Sequence, residues 1–239
     1  MPAPLVDNLV PYTMSLTDEI KERLRSMPPG VVGIASAQLG RYREFDWCLE
    51  NVWLPPGSVK RWCMGVDVCH NFNDMARFTL ESPEFKWLWI LGDDHLFTQD
   101  LMMELFARDR DVVVPLCLRR SNDFAPVLNW GREKNFTAVQ DSWAEIKGKS
   151  GLMDWPGTAG NAGMLVKRHV LEALEEPWFR AGQLHPGYSS SDLYFCDAFE
   201  RLGFRLLIDL DNVIGHINHM GIWPRRDENG EWHLDVRNA

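Results

Sequence analysis

Phe85-Lys86-Trp87-Leu88-Trp89-Ile90-Leu91-Gly92-Asp93-Asp94-His95 is the stretch on which the fold turns. An almost unbroken apolar run leads straight into a glycine, two adjacent aspartates and a histidine. A run this continuous fits a strand covered on both faces, as in the parallel sheets of α/β proteins. In open α/β sheets, ligands bind beyond the carboxyl ends of the strands, which is where the aspartates fall. Two neighbouring carboxylates are costly there unless something cationic satisfies them. A divalent ion such as Mn2+ or Mg2+ is the natural partner, with a diphosphate supplying further oxygens. The plainer alternative is that Asp93, Asp94 and His95 cap a helix or form a solvated turn.

Upstream, residues 15–27 predict an amphipathic helix with Ser15 as N-cap and a stop at Pro28-Pro29-Gly30. Val31 to Ala37 predicts a buried strand, followed by a helix over 45–52, a strand over 62–68 and a helix over 74–81. Downstream come a helix over 99–108 and a strand over 111–116. This alternation predicts a right-handed, doubly wound α/β sheet. Residues 121–156 mix Trp, Asn, Lys and Gly and predict irregular antiparallel strands and loops. Gly157 to Val166 is a loop entering a strand. Helices over 168–175 and 191–202 follow, then a strand over 205–210 that leads to Ile214-Gly215-His216-Ile217. Residues 222–239 are polar and rich in turn formers, and predict a mobile tail. No repeat or linker interrupts the chain, so one domain with two functional halves is the simplest organisation.

At 239 residues and 45% hydrophobic, the chain can bury a sizeable core. Five cysteines, an odd count without a CxxC pair, argue against a disulfide framework or a structural zinc site. No run of about 18 apolar residues predicts a membrane span. The N-terminus lacks the basic and apolar regions of a secretory signal, so the expected compartment is cytoplasmic. A net charge of −9 disfavours nonspecific nucleic-acid binding. Leu118-Arg119-Arg120 and Pro224-Arg225-Arg226 are nonetheless local basic clusters. Eleven tryptophans suit core packing and stacking on sugar rings equally.

The segment WLWILGDDHLFTQDLMMELFARDRDVVVPL, residues 87–116, resembles the DxD segment of GT-A glycosyltransferases: an apolar strand, the acidic motif, a helix and a second strand. SSSDLYFCDAFERLGFRLLIDLDNVIGHI, residues 189–217, is similar to a second segment of that family, an acidic helix start followed by a strand that ends in Gly-His. GTAGNAGMLVKRHVLEALEEPWF, residues 157–179, resembles the small-residue loop between them. The resemblance covers roughly 31–220. It implies a GT-A (Rossmann-like), mostly parallel central sheet flanked by helices, in one domain over 1–239. Residues 31–120 would form the nucleotide-sugar half, 121–220 the acceptor half and 221–239 the tail.

The resemblance also implies roles. Asp94 matches the metal-binding second Asp of DxD, Asp93 the middle position, and Gly92 stands where the first Asp is usual. His216 matches the histidine that completes the metal site, with His219 a weaker candidate and His95 adjacent. Asp192 matches the catalytic base of inverting members, and Ser191 stands where Glu is frequent. Gly160 and Asn161, in the run from Gly157 to Ala162, would line the sugar pocket. Ala35 in the first strand and Arg77 on the helix before the acidic motif would contact the donor. Beyond the resemblance, the basic segment itself suggests that Arg225 and Arg226, on a tail carrying Trp223, fold over the diphosphate and exclude water.

The expected activity is therefore metal-dependent transfer of a sugar from a nucleotide-sugar donor to a hydroxyl of a glycan, a protein or a modified nucleobase. Family frequency favours a UDP-sugar such as UDP-glucose. One rival is a nucleotidyltransferase of similar layout, against which the single glycine of ASAQLGRYREF counts. Another is an inactive nucleotide-sugar-binding module, suggested by Gly92 and Ser191.

Overall fold

Apolar residues in β1 (Val31–Ser36), β3 (Trp87–Gly92) and β5 (Val112–Cys117) point alternately to opposite sides of one sheet, and both sides are covered. Val31, Leu88, Ile90, Val112 and Val114 enter one core, and Val32, Ile34, Trp87, Trp89 and Val113 enter the other. That is why these strands are apolar at every position instead of every second one.

The structure, a computed structural model, describes residues 15–36, 42–65, 67–120, 124–130, 137–138, 142–181, 190–217 and 220–238. Its remaining strands are β2 (Val59–Met64), β4 (His95–Leu96), β6 (Leu128–Trp130), β7 (Thr137–Ala138), β8 (Leu152–Asp154), β9 (Thr158–Ala159), β10 (Leu165–Lys167), β11 (Leu206–Ile217), β12 (Met220–Arg226) and β13 (Trp232–Asn238). The helices are α1 (Asp18–Ser26), α2 (Arg43–Asn51), α3 (Val68–Glu81), α4 (Leu101–Ala107), α5 (Ser142–Ile146), α6 (Arg168–Ala173) and α7 (Ser191–Arg201).

The main sheet runs β13-β12-β11-β5-β10-β3-β1-β2, with β4 and β8 attached to β11. Strands β2, β1 and β3 are mutually parallel, as are β5 and β11. A short antiparallel β10 joins β3 to β5. This is a mixed α/β fold with a mostly parallel central sheet flanked by helices. Strands β7, β6 and β9 form a small second sheet, in keeping with the irregular antiparallel structure expected over 121–156.

Helices α3, α6 and α7 cover the first face through Phe72, Met75, Val170, Phe195 and Phe199. Helices α2 and α4 cover the second through Phe45, Leu49, Met102 and Leu105. A Cβ on Gly33 would lie 2.6 Å from the Met75 sulfur, so glycine is what lets α3 lie directly on β1. Among the described residues, no helix is long and apolar enough to cross a membrane. The cysteines are free thiols, buried except for the half-buried Cys69.

Several local expectations change. The strand expected over 62–68 is β2, Val59–Met64, and Val68 already opens α3. The first helix starts later than Ser15 suggests: Thr17 is its N-cap, accepting the Ile20 N–H. The expected tail over 222–239 is instead the hairpin β12–β13, which extends the sheet beyond β11. Its polar composition suits a ribbon at a sheet edge, a pattern that sequence reading confuses with a tail.

The Asp209 side chain in β11 is fully buried, and Arg108 at the end of α4 meets it with two hydrogen bonds of 2.7 and 2.9 Å. The Asp211 N–H and the Asn212 amide complete its shell. Removing the arginine would leave a buried carboxylate without its counter-charge. Arg108→Met is expected to lower stability by roughly 3 kcal/mol, measured as a lower urea midpoint. Arg108→Lys, which keeps the charge but not the fork, should recover only part of the loss.

Candidate functional site

The acidic motif closes β3 and turns at once into β4, which pairs antiparallel with the end of β11. That pairing sets His95 opposite His216, with ring centroids 5.3 Å apart. The Ile217 N–H donates to the Asp94 carbonyl at 2.8 Å, pinning the turn to β11. Backbone register thus brings His216 to a carboxylate far away in sequence.

The two aspartates diverge. The Asp93 N–H donates to the Ala35 carbonyl, and its carboxylate accepts the Ser36 hydroxyl at 2.5 Å. Burial raises the Asp93 carboxyl above its ordinary value, the Ser36 hydrogen bond opposing this only in part. Asp94 turns the other way. Its Oδ1 lies 3.7 Å from His95 Nε2, while Oδ2 lies 3.4 Å from His216 Nε2 and 2.7 Å from Arg120 Nη1. Burial alone would raise this carboxyl too, but the His216 hydrogen bond and the charges of His95, His216 and Arg120 hold it well below the carboxylate range.

Gly92 has a steric reason to be glycine. A Cβ there would sit 2.7 Å from Asp94 Oδ1 and 3.4 Å from the His95 ring. Any side chain at this position would meet the Asp94 carboxylate.

Asp94, His95 and His216 offer ligand atoms that all lie within 4.8 Å of one another. The donor chemistry fits a divalent ion. His216 Nδ1 faces the Leu118 carbonyl at 3.0 Å, so that nitrogen carries a proton and Nε2 is the one turned to Asp94. Fixing one ring nitrogen on a carbonyl is how metal-binding histidines are oriented. Burial would lower the His216 pKa, but its bond to Asp94 raises it, favouring a proton on Nε2 that a metal ion would displace. His95 is buried, which pushes its pKa down to about 4. Its Nδ1 accepts the Gly92 N–H at 2.9 Å, leaving the proton of the neutral ring on Nε2, toward Asp94. In this arrangement His95 orients the carboxylate.

These groups form one wall of a cavity of about 530 Å3. Asp192, in the first turn of α7, and the Gly160-Asn161 loop form another. Asp192 Oδ2 lies 3.7 Å from where a Gly160 Cβ would be. Burial raises the Asp192 carboxyl, the effect outweighing its own N–H and the Ser190 and Ser191 hydroxyls. Asn161 is 8% exposed, and among the described residues neither its amide nitrogen nor its oxygen has a hydrogen-bond partner. Asn71 on α3 donates to the Gly65 carbonyl, while its oxygen is buried and unpartnered. Each such atom costs about 1–3 kcal/mol unless a ligand meets it. Both side chains line the cavity.

The cavity gathers Ala35, Asp93, Asp94, Gly160, Asn161, Asp192 and His216 from the residues expected at a site. Arg77 is elsewhere: it pairs with Glu176 and Asp74. Nor do Arg225 and Arg226 line the cavity. Arg225 is exposed, and Arg226 stacks over Trp232 and reaches the Gly230 carbonyl, because their segment is a paired strand and not a flap. His219 lies outside the described residues. Sequence reading missed Ser36 and Asn71, and noticed Arg120 only as part of a basic cluster. Neither Ser36 nor Asn71 carries a local signal, since a polar residue ending a strand or starting a helix is ordinary.

No protein-family model matches the sequence, and no curated protein sequence does. Solved structures share the fold. The crystal structure of A197 from STIV superposes with a TM-score of 0.57 at 15% identity, covering 88% of this chain and 95% of that one. The crystal structure of GalNAc-T7 with UDP, GalNAc and Mn2+ superposes at 0.50 and 11% identity, covering 81% of this chain and 44% of that one. The fold is GT-A-like. At these identities the likeness concerns the fold alone, so what a GT-A-like frame does here rests on the cavity.

Because burial raises Asp192, the folded protein holds that proton more tightly than the unfolded chain. Between the unfolded and folded pKa values, stability therefore falls as pH rises, and the loss persists above them. Asp192→Asn removes this penalty. The variant is expected to melt higher than the wild type above about pH 7, with the gain vanishing below about pH 4, where the carboxyl is protonated in both states. Calorimetry across pH checks this, and a gain independent of pH would refute the burial argument.

Proposed function

We propose that this protein is a metal-dependent glycosyltransferase that moves a sugar from a nucleotide-sugar donor, a UDP-sugar being favoured, to an acceptor hydroxyl with inversion. The observation that carries the reading is one cavity at the carboxyl ends of β1 and β3. One wall bears the cluster of Asp94 with two imidazoles, and another bears the buried carboxyl of Asp192 beside unpartnered amides. The GT-A-like fold supports it.

Asp94 and His216 hold the divalent ion, with His95 orienting the carboxylate. A mixed carboxylate and imidazole set favours Mn2+ or a similar transition ion over Mg2+, which prefers oxygen ligands alone. When bound, such an ion offsets the negative charge of the diphosphate. Asp93, held by Ser36, and Ala35 line the nucleotide side. Gly160 leaves room beside Asp192 for the sugar ring, and the Asn161 amide reads its hydroxyls. The oxygen of Asn71, its amide group already committed to Gly65, accepts a hydroxyl or N–H of the donor.

Asp192 is the base. A carboxyl raised by burial is a better proton acceptor near neutral pH than an ordinary one. It takes the proton of the acceptor hydroxyl. The acceptor oxygen then bonds to the anomeric carbon, and the bond from that carbon to the diphosphate breaks, its electron pair leaving with the nucleoside diphosphate. The acceptor is a hydroxyl of a glycan, a protein or a modified nucleobase. The chain works as one domain, with the nucleotide half over about 31–120 and the acceptor half over about 121–220.

Thermal melting against UDP-, GDP- and other nucleotide sugars, with and without Mn2+, tests the reading, since a ligand that binds the folded state raises the melting temperature. A rise for one nucleotide class that requires Mn2+ is the expected result. In Asp94→Ala, a side chain at the mouth of the sheet and outside the core, that rise should disappear while the ligand-free protein stays folded. No rise for any donor with the wild type, or an unchanged rise in Asp94→Ala, would sink the proposal.

A further inference from the structure

Asp94 Oδ2 is claimed twice. Arg120 Nη1 lies 2.7 Å from it, and His216 Nε2 approaches the same oxygen at 3.4 Å. Oδ2 is also where Asp94 and His216 converge, and so where a shared divalent ion must bind. A guanidinium and a divalent ion cannot both sit on one oxygen, because like charges a few ångströms apart in a partly buried site repel strongly.

Of the groups involved, Arg120 is the most exposed. Its side chain is 47% exposed, whereas Asp94 and His216 are nearly buried. His216 is further held by the Leu118 carbonyl, and Asp94 by the turn that Ile217 pins. Arg120 also lines the cavity shared with Asn161 and Asp192, so a guanidinium leaving Asp94 has the ligand space beside it. The planar fork of arginine matches phosphate oxygens better than any other cationic side chain.

We propose that Arg120 is an exchangeable counter-ion: it neutralises Asp94 until a divalent ion arrives, then transfers to the diphosphate of the nucleotide. This rests on the metal-dependent reading above and adds a property to it. The ion alone must displace Arg120 without compensation, whereas ion and diphosphate together give every charge a partner. The two ligands therefore bind cooperatively, and by linkage each tightens the other by the same factor.

The test is a titration of the full chain with Mn2+, following the free ion by electron paramagnetic resonance. It is run with and without UDP, a protein-free control correcting for the Mn2+–UDP complex. Arg120→Gln should bind Mn2+ alone roughly fivefold more tightly than the wild type, about the worth of a partly exposed ion pair. In the same variant, UDP should bind more weakly and should tighten Mn2+ less than it does in the wild type. Arg120→Lys, which keeps the charge but not the fork, should fall between the two, and circular dichroism confirms that both variants fold.

A purely structural arginine would weaken Mn2+ and UDP together when replaced, so equal or weaker Mn2+ binding by Arg120→Gln overturns the exchange while leaving the metal site standing. A wild type that binds no Mn2+ at all removes the metal-dependent reading, and the exchange with it.

Discussion

Burying the Asp94 carboxylate at the mouth of the sheet would cost several kcal/mol if nothing met its charge. Much of the site can be read as the answer to that cost. His216 arrives on β11, Arg120 follows β5, and His95 lies across the turn from its own neighbour. Three groups from separate parts of the chain converge because the ends of β3, β4, β5 and β11 are adjacent. Gly92 is the steric side of the same arrangement, leaving the carboxylate room to turn toward the imidazoles.

The rest of the cavity trades stability for readiness. Asp192 is held with a raised pKa, and Asn71 and Asn161 keep buried amide atoms without partners. Outside the cavity Asp209 is met in full, by Arg108, Asp211 and Asn212. Similarly, Arg168 donates to the carbonyls of Thr79, Leu80, Ser82 and Phe85 at the end of α3. Two asparagines with unmet amide atoms facing one cavity beside a buried carboxyl are what a site that takes a polar ligand requires.

Most of the scaffold was legible in the sequence. The strands over 31–36, 87–92 and 112–117 announce themselves by apolar runs, and helices α3, α6 and α7 overlap the periods expected of them. The acidic motif, the Gly160-Asn161 loop, Asp192 and His216 were also visible, because each ends or begins an element and so carries a local pattern. Arg77 and the Arg225-Arg226 pair were misplaced for the opposite reason. A surface arginine carries no mark of which way it points, and the nearby acids Glu176 and Asp74 captured Arg77. The hairpin over 220–238 was hidden because a polar ribbon at a sheet edge reads like a tail.

By itself, then, the sequence determined which segments are buried strands, which are helices, and where a carboxylate would stand at a strand end. These are properties of spacing and hydrophobicity within a dozen residues, and they need no partner to be read. Only the tertiary structure decided that His216 faces His95 and that Asp93 turns away to Ser36. It alone decided that Arg120 claims the oxygen His216 also seeks, and that β10 runs antiparallel between β3 and β5. Those outcomes depend on the register between strands distant in the chain, where a slip of one residue would turn every side chain to the other face.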